Sequence, residues 1–116
     1  MAERDFNQEI AAISATLTSI ESVLDIPRLV SQKDELEAKA GAPDLWNDPE
    51  SAQKVTSALS RVQSIINKVT NLRSRISDLP IMLELATNED DVSAKTEVEK
   101  ELDALTAAIS ELEVQT

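Results

Sequence analysis

The stretch that decides the fold is VTSALSRVQSIINKVTNLRSRISDL, residues 55–79. Apolar side chains recur in it every seven residues, and a second apolar set repeats at the same interval three residues later. The two sets are Val55, Val62, Val69 and Ile76, and Ala58, Ile65, Leu72 and Leu79. Such a seam is typical of a long helix that packs against other helices. The pattern predicts a helix over residues 49–77, about 43 Å long at about 1.5 Å per residue.

Comparable seams lie on both sides of this stretch. Before it come Phe6, Ile10, Ile13, Leu17, Ile20 and Leu24, and after it come Val98, Leu102, Leu105, Ile109 and Leu112. Their spacings of four and three residues predict a first and a last amphipathic helix. A thinner stripe at Leu29, Lys33, Leu36 and Ala40 predicts a second helix between them.

An aspartate followed by a proline punctuates the chain three times. The aspartates are Asp25, Asp48 and Asp78, and the prolines are Pro27, Pro49 and Pro80. Asp is a good N-cap, and Pro is tolerated in the first turn of a helix because its missing N–H would be unpaired there. We therefore expect helix starts near Asp25 and Asp48, and a kink or a restart of the long helix at Pro80.

Composition agrees with an all-α fold. The 116 residues include one Gly and no Cys, and the apolar side chains are almost all aliphatic. A single Gly argues against hairpin-rich β structure, whose turns need positive φ. The sequence predicts one domain of residues 1–116, an elongated antiparallel bundle of long coiled-coil-like helices with one long central helix.

Several classes of function are excluded by what the sequence lacks. Without Cys or His, thiolate and imidazole metal sites and His-based acid–base catalysis are impossible. The acidic run Asn88–Asp91 lacks the Gly of a calcium-binding EF-hand loop, so we interpret it as a solvated, cap-bearing connection. No secretory signal and no apolar run of about 20 residues is present, which favours a cytoplasmic chain with no membrane contact. We expect no enzymatic activity and no cofactor.

The net charge of −11 hides a basic middle third. Residues 51–79 carry five bases and one acid, whereas both ends are strongly acidic. Lys54, Arg61, Lys68 and Arg75 lie seven residues apart and form a stripe beside the apolar seam. The stripe predicts either contact with RNA phosphates or pairing with acids of the last helix, namely Glu99, Glu101 and Glu113, and we favour the pairing. Arg73 lies off the stripe and is free for other contacts. Nothing in the pattern indicates DNA.

The connection GAPDLWNDP, residues 41–49, holds the only Gly and the only Trp. Pro43, Trp46, Asp48 and Pro49 predict a rigid structural corner, in which the two prolines fix the backbone and Asp48 caps the next helix. We expect Trp46 to be buried as a plug, with its indole N–H bonded to a nearby oxygen. The alternative is a Trp that anchors a binding partner.

These features occur in an order that resembles a known family. LDIP at residues 24–27 is followed by APDLWNDP at 42–49 and by LELA at 83–86, before a Glu-rich last helix. In this order they resemble the amino-terminal helical domain of bacterial class I peptide chain release factors. Leu45 and Asn47 are mild departures from the Pro-Asp-aromatic-Trp-Asp-Asp pattern of one of the two sister factors. The resemblance covers nearly the whole chain.

The resemblance implies a non-catalytic domain that docks a translation termination factor on the ribosome. The implied partners are the factor-binding region, with its stalk-base protein and ribosomal RNA, and the class II release-factor GTPase. The Ser-Pro-Phe loop that reads stop codons and the Gly-Gly-Gln loop that promotes hydrolysis are both absent from these residues. No residue therefore inherits a decoding or catalytic role, and the domains that carry those roles lie outside this chain.

Two other interpretations stay open at this point. One is a generic acidic coiled-coil adaptor with no ribosomal role. The other is a small secreted helical hairpin of the Trp-x-Gly type, although Trp46 is followed here by Asn47 and Asp48 and the chain has no Tyr.

Overall fold

The computed structural model describes residues 4–116, which form four α-helices and one short 3-10 helix. The helices are α1 (Phe6–Leu24), α2 (Ile26–Ala40), α3 (Pro49–Glu89) and α4 (Val92–Gln115), and the 3-10 helix is Pro43–Asn47. Residues 4–116 contain no strand. The all-α prediction is confirmed, and α3 is the predicted long helix.

The chain divides into two compact units. The first contains the described residues up to Val23 together with Thr70–Thr116, and the second is Leu24–Val69. The first unit therefore holds α1, the second half of α3 and α4. The second unit holds α2, the 3-10 helix and the first half of α3. The single domain predicted for residues 1–116 stays a prediction, and residues 1–3 of it lie outside the described part.

The first unit is a three-helix bundle with an aliphatic core. Its buried residues are Ile10, Ile13, Leu17 and Ile20 of α1, Leu72, Ile76, Leu79 and Ala86 of α3, and Val98, Leu102, Leu105, Ile109 and Leu112 of α4. Nearly every one of them belongs to a seam that the sequence predicts. No polar or charged side chain is buried among residues 4–116, so removal of apolar surface from water is the main stabilising term.

Arginine side chains tie the three helices of this bundle together. From α3, Arg73 Nη1 donates to Ser14 Oγ at 2.9 Å, and Nη2 donates to Thr18 Oγ1 at 2.9 Å and to the carboxylate of Glu21. These three acceptors follow one face of α1, one or two turns apart. Arg4 donates to Glu9 just inside α1 and to Asp103 on α4. The arginines thereby set the register of α1 against its two neighbours.

The helix α3 continues through Pro80, so the restart expected at this position was wrong, and the alternative, a kink, stays a prediction. Pro80 lacks the N–H that would reach the carbonyl of Ile76, and a proline in a helix interior costs about 3 kcal/mol. The core residues on either side outweigh this cost, because Ile76, Leu79 and Ala86 are all buried. Pro80 itself is exposed, so no packed neighbour has to accommodate its ring.

The helix ends follow the aspartate signals in part. Asp5 accepts from the backbone N–H of Gln8 at 3.0 Å and caps α1, and Asp91 accepts from the N–H groups of Ser93 and Ala94 and caps α4. Asp25 separates α1 from α2 as expected, but the prediction that it caps α2 was wrong. Its side chain makes no capping hydrogen bond, and its backbone is left-handed with φ 56°. Asp is among the few residues that adopt this conformation readily, because its short side chain is compatible with it.

The second unit is more thinly packed. The helix α2 and the first half of α3 form a hairpin around the 3-10 helix, and Ala52 and Val69 are its only buried residues. The seam residues Val55, Ala58, Val62 and Ile65 are half-buried. A two-helix hairpin covers only one side of such a seam, so these side chains keep partial contact with water.

Candidate interaction surface

The solvent-facing side of α3 in the second unit carries positive charge and, after Glu50, no negative charge. Lys54, Arg61 and Lys68 are exposed there, and successive members are about 10.5 Å apart along the helix axis. We call these three residues the basic face. Between residues 51 and 77 the sequence has no Asp or Glu, although the whole chain has 22 acids.

The basic face is largely free of intramolecular ion pairs. Lys54 lies 3.8 Å from Glu50 one turn earlier, and both side chains are mostly in water. Arg61 and Lys68 make no ion pair with any of residues 4–116. Exposed pairs such as Lys54–Glu50 contribute at most about 1 kcal/mol, so they do not prevent contact with a polyanion.

Arg75, the fourth residue of the predicted stripe, has a different role. Its guanidinium makes a bidentate contact with Glu101 of α4, with Nε at 3.1 Å from Oε2. This hydrogen bonding raises the pKa of Arg75 and lowers the pKa of the Glu101 carboxyl. Pairing with the last helix is thus confirmed for Arg75 and Glu101. It was wrong for Lys54, which pairs within α3, and among residues 4–116 neither Glu99 nor Glu113 forms an ion pair with the stripe.

The prediction that Arg73 is free for other contacts was wrong. Its side chain pairs with Glu21 of α1. The sequence therefore placed a stripe of four cations correctly but could not say which of them a neighbouring helix would neutralise. Position along α3 decides this: α4 packs in the same unit as the residues after 69, and in the second unit none of the acids of α2 forms an ion pair with Arg61 or Lys68.

Two shallow grooves border Arg61. One is lined by uncharged hydroxyl side chains of α3, namely Thr56, Ser57, Ser60 and Ser64. The other lies between α2 and α3, has a volume of about 350 Å³, and brings Lys39 and one carboxylate, Glu35, of α2 to the same groove as Arg61. Sequence reasoning missed Lys39, and the antiparallel return of α2 onto α3 was the signal that could have found it. Hydroxyl groups and cations together are the donors that bind phosphate oxygens.

The connection between α2 and α3 is an ordered corner. Leu45 N–H donates to the carbonyl of Ala42 and Asp48 N–H donates to the carbonyl of Leu45, both at 3.2 Å. Asp48 then accepts from the backbone N–H of Glu50 at 3.2 Å and from Ser51 Oγ at 2.8 Å. The Ser51 contacts, followed by the Glu50 N–H, lower the pKa of the Asp48 carboxyl. Pro43 and Pro49 stand at the first positions of the 3-10 helix and of α3, where proline is preorganised for helical φ.

Trp46 is 60 % exposed, so the prediction of a buried plug was wrong. Burial of Trp needs apolar surface on several sides, and the second unit offers only two helices. Half-buried Leu45 occupies the inner side of the corner instead. We call residues 42–50 the Trp corner.

No group of three or more His, Cys, Asp or Glu side chains within residues 4–116 is arranged to hold a metal ion. No single helix of the same residues is long and apolar enough to cross a membrane, and only α1 and α2 taken as a pair reach such a length and composition.

Known proteins are similar to this chain over all or most of its length. Residues 29–116 match the PCRF domain. Peptide chain release factor 2 of Salinispora tropica is 51 % identical over 116 residues, which are 100 % of this chain and 31 % of the relative. The same-named protein of Streptomyces avermitilis is 46 % identical over 100 % of this chain and 32 % of its own length. That of Corynebacterium aurimucosum is 56 % identical over 90 % of this chain and 28 % of its own length. The chain spans about a third of the length of these curated relatives.

Proposed function

The chain belongs to the peptide chain release factor family, as an amino-terminal domain of the release factor 2 type, and from this premise we propose that it docks a translation termination factor onto the ribosome. In this proposal the domain is non-catalytic, and residues 1–116 act as one unit. Membership of this family supports this interpretation over the generic adaptor and the secreted hairpin.

The observation that carries the proposal is the basic face. A chain with net charge −11 is repelled by RNA as a whole. Lys54, Arg61 and Lys68 nevertheless project from a helix side on which Glu50, beside Lys54, is the nearest carboxylate along α3, and hydroxyl groups next to them can also donate to phosphate. A local cationic surface on an acidic domain orients it, because only one side can approach the polyanion.

A docking role without chemistry agrees with the residues present. Hydrolysis of peptidyl-tRNA by this family requires a Gly-Gly-Gln loop, and the 116 residues include one Gly, Gly41. We therefore propose that the chain alone releases no peptide from a termination complex. In the longer factor the domain contributes affinity and orientation.

The partners we propose are the factor-binding region of the ribosome, its stalk-base protein and ribosomal RNA, and the class II release-factor GTPase. The basic face is the proposed RNA contact. Translation on bacterial ribosomes places the domain in the cytoplasm.

Co-sedimentation with purified bacterial ribosomes at several salt concentrations tests the proposal. The triple variant Lys54→Glu, Arg61→Glu, Lys68→Glu should bind at least tenfold more weakly. The slope of log affinity against log salt should become shallower by about 2, since the counterions displaced by these three contacts are no longer released. Circular dichroism checks that the variant is folded.

A matched control separates local contact from net charge. The triple variant Arg28→Glu, Lys95→Glu, Lys100→Glu changes the net charge equally at exposed or half-exposed positions of α2 and α4, which are not part of the basic face. It should keep most of the affinity. Equal losses in both triple variants, or unaltered binding by a folded basic-face variant, would contradict the assignment of the RNA contact. Absence of ribosome binding by the unmodified chain would contradict docking altogether.

A further inference from the structure

The side chain of Trp46 stands in water on a backbone that is held in place. Isolated exposed apolar residues are common, but Trp is large, and exposed Trp concentrates at binding sites. Its residue is 60 % exposed, and no hydrogen bond joins its indole to any of residues 4–116. Nothing in the second unit's packing requires an indole at this position.

The backbone that carries the Trp46 ring has little conformational freedom left to lose when a partner binds. Pro43 and Pro49 restrict φ at both ends of the 3-10 helix, and the bonds from Leu45 to Ala42 and from Asp48 to Leu45 close its turns. A preorganised contact residue loses less conformational entropy when a partner binds. The rigidity that we first attributed to a plug is equally suited to an anchor.

The charge around the ring selects the kind of partner. Asp44, Asp48 and Glu50 are exposed within the Trp corner, residues 40–53 include no Lys or Arg, and the nearest cation along the chain, Lys54, lies 3.8 Å from Glu50 in a pair that is mostly in water. Asp48 stays ionised at neutral pH because its carboxylate accepts from Ser51 and Glu50. Carboxylates at this density repel phosphates, so RNA is a poor occupant. A guanidinium or an ammonium group is attracted both to the carboxylates and to the face of the indole.

We propose that the Trp corner binds a protein surface that presents arginine or lysine, with the cation stacked on Trp46 and paired with Asp44 and Glu50. The domain then has two contact surfaces of opposite sign, a basic face for RNA and an acidic aromatic corner for a basic protein. The binding of a cationic group depends only on the residues of the Trp corner. That the natural partner is a ribosomal protein rests on the proposed function.

The first test uses the chain by itself with an arginine-rich nonapeptide, because Trp46 is the only Trp and reports its own environment. Peptide binding should shift the emission of Trp46 and reduce its quenching by acrylamide. The variant Asp44→Asn, Glu50→Gln should need at least tenfold more peptide for the same change. The control Glu111→Gln, Glu113→Gln removes two exposed carboxylates from the end of α4 and should titrate like the unmodified chain. Identical curves for the two double variants, or emission that does not respond, would overturn the proposal.

The second test identifies the occupant on the ribosome. With the photoreactive residue p-benzoylphenylalanine in place of Trp46, irradiation should crosslink the chain to a ribosomal protein, at a segment containing Lys or Arg. Crosslinks to ribosomal RNA or to a second copy of the chain would contradict the proposal. Trp46→Ala should lower ribosome affinity at least tenfold at an unchanged urea midpoint, and Trp46→Phe should retain part of the affinity. A chain that fails to bind ribosomes while its peptide titration behaves as described would overturn the docking function and leave the corner's assignment standing.

Discussion

At the scale of the residue, Arg73 joins three α1 side chains through one guanidinium. Arg73→Ala should lower the free energy of unfolding by about 1 kcal/mol, below the roughly 1.5–3 kcal/mol of fully buried charged hydrogen bonds, because its side chain is 32 % exposed. Urea denaturation followed by circular dichroism measures the loss. Lys68→Ala on the same helix is the control, and it should stay within about 0.5 kcal/mol. Equal effects of the two substitutions would show that the Arg73 contacts contribute nothing.

Two carboxyl groups make stability depend on acid. Hydrogen bonds from Ser51 lower the pKa of Asp48, and the contact with Arg75 lowers that of Glu101. Each group binds its proton more weakly in the folded chain than in the unfolded one, whose carboxyls titrate near ~4. Their contribution to stability is therefore complete above about pH 5 and is lost as the pH falls through the lowered pKa values.

The expected result is a loss of melting temperature from these two groups between about pH 5 and pH 2, which the comparison with a variant isolates from the other carboxyls. Asp48→Asn, Glu101→Gln should be less stable at neutral pH and should lose less on acidification. Thermal melts across this range measure both. Parallel curves for the variant and the unmodified chain would assign the acid sensitivity to other groups.

Trp46 shows where residue-level inference from the sequence ended. The two prolines and the Asp48 cap predicted an ordered corner correctly, because these signals act through local backbone geometry. Whether the ring points inward depends on how many helices surround it. That number is a tertiary property, and the sequence around the corner does not contain it.

At the scale of the element, α3 contains in its interior a destabilising proline, Pro80. Pro80→Ala should raise the free energy of unfolding by about 1–3 kcal/mol, because it supplies the missing bond to Ile76 and removes the ring's clash with that carbonyl. Denaturation midpoints of the two chains measure the gain. Ser77→Ala, also exposed within α3, controls for helix propensity and should change little. A loss of stability in Pro80→Ala would mean that the proline's shape is used by the fold.

The prediction of a break at Pro80 failed for an energetic reason. A local rule assigns proline a cost of about 3 kcal/mol, and burial of a Leu or Ile side chain is worth roughly 1.5–3 kcal/mol. Several such side chains therefore outweigh one proline. The heptad pattern was the stronger signal, since Leu79 continues it up to the proline and Ala86 extends it beyond.

At the scale of the whole molecule, burial is unevenly distributed although the apolar pattern is even. All buried residues except Ala52 and Val69 belong to the first unit. Amide hydrogen exchange should therefore be at least tenfold slower for residues 72–86 of α3 than for residues 52–66 of the same helix. The helix is its own control, since both stretches share solvent and secondary structure. Uniform protection along α3 would instead indicate one cooperative unit.

The heptad seam also explains which features of the whole molecule could be predicted from the sequence. Periodicity identified every helix and almost every core residue, because it records which side of a helix is apolar. It does not record how many helices cover that side. Ile65 and Leu72 occupy the same seam position in successive heptads, yet the first is half-buried and the second is buried.

The left-handed backbone of Asp25 limits which residues can replace it in related sequences. One residue stands between α1 and α2, and a positive φ at that residue is what keeps them two helices. Glycine and asparagine are acceptable replacements, because both enter the left-handed region at little cost. Valine, isoleucine or threonine would be strained there, and alanine would favour right-handed helical φ, although one continuous helix would then hold Pro27 in its interior at a cost of about 3 kcal/mol. A single substitution at the exposed Asp25 can therefore change the path of the chain. We expect related sequences to carry only aspartate, asparagine or glycine at this position.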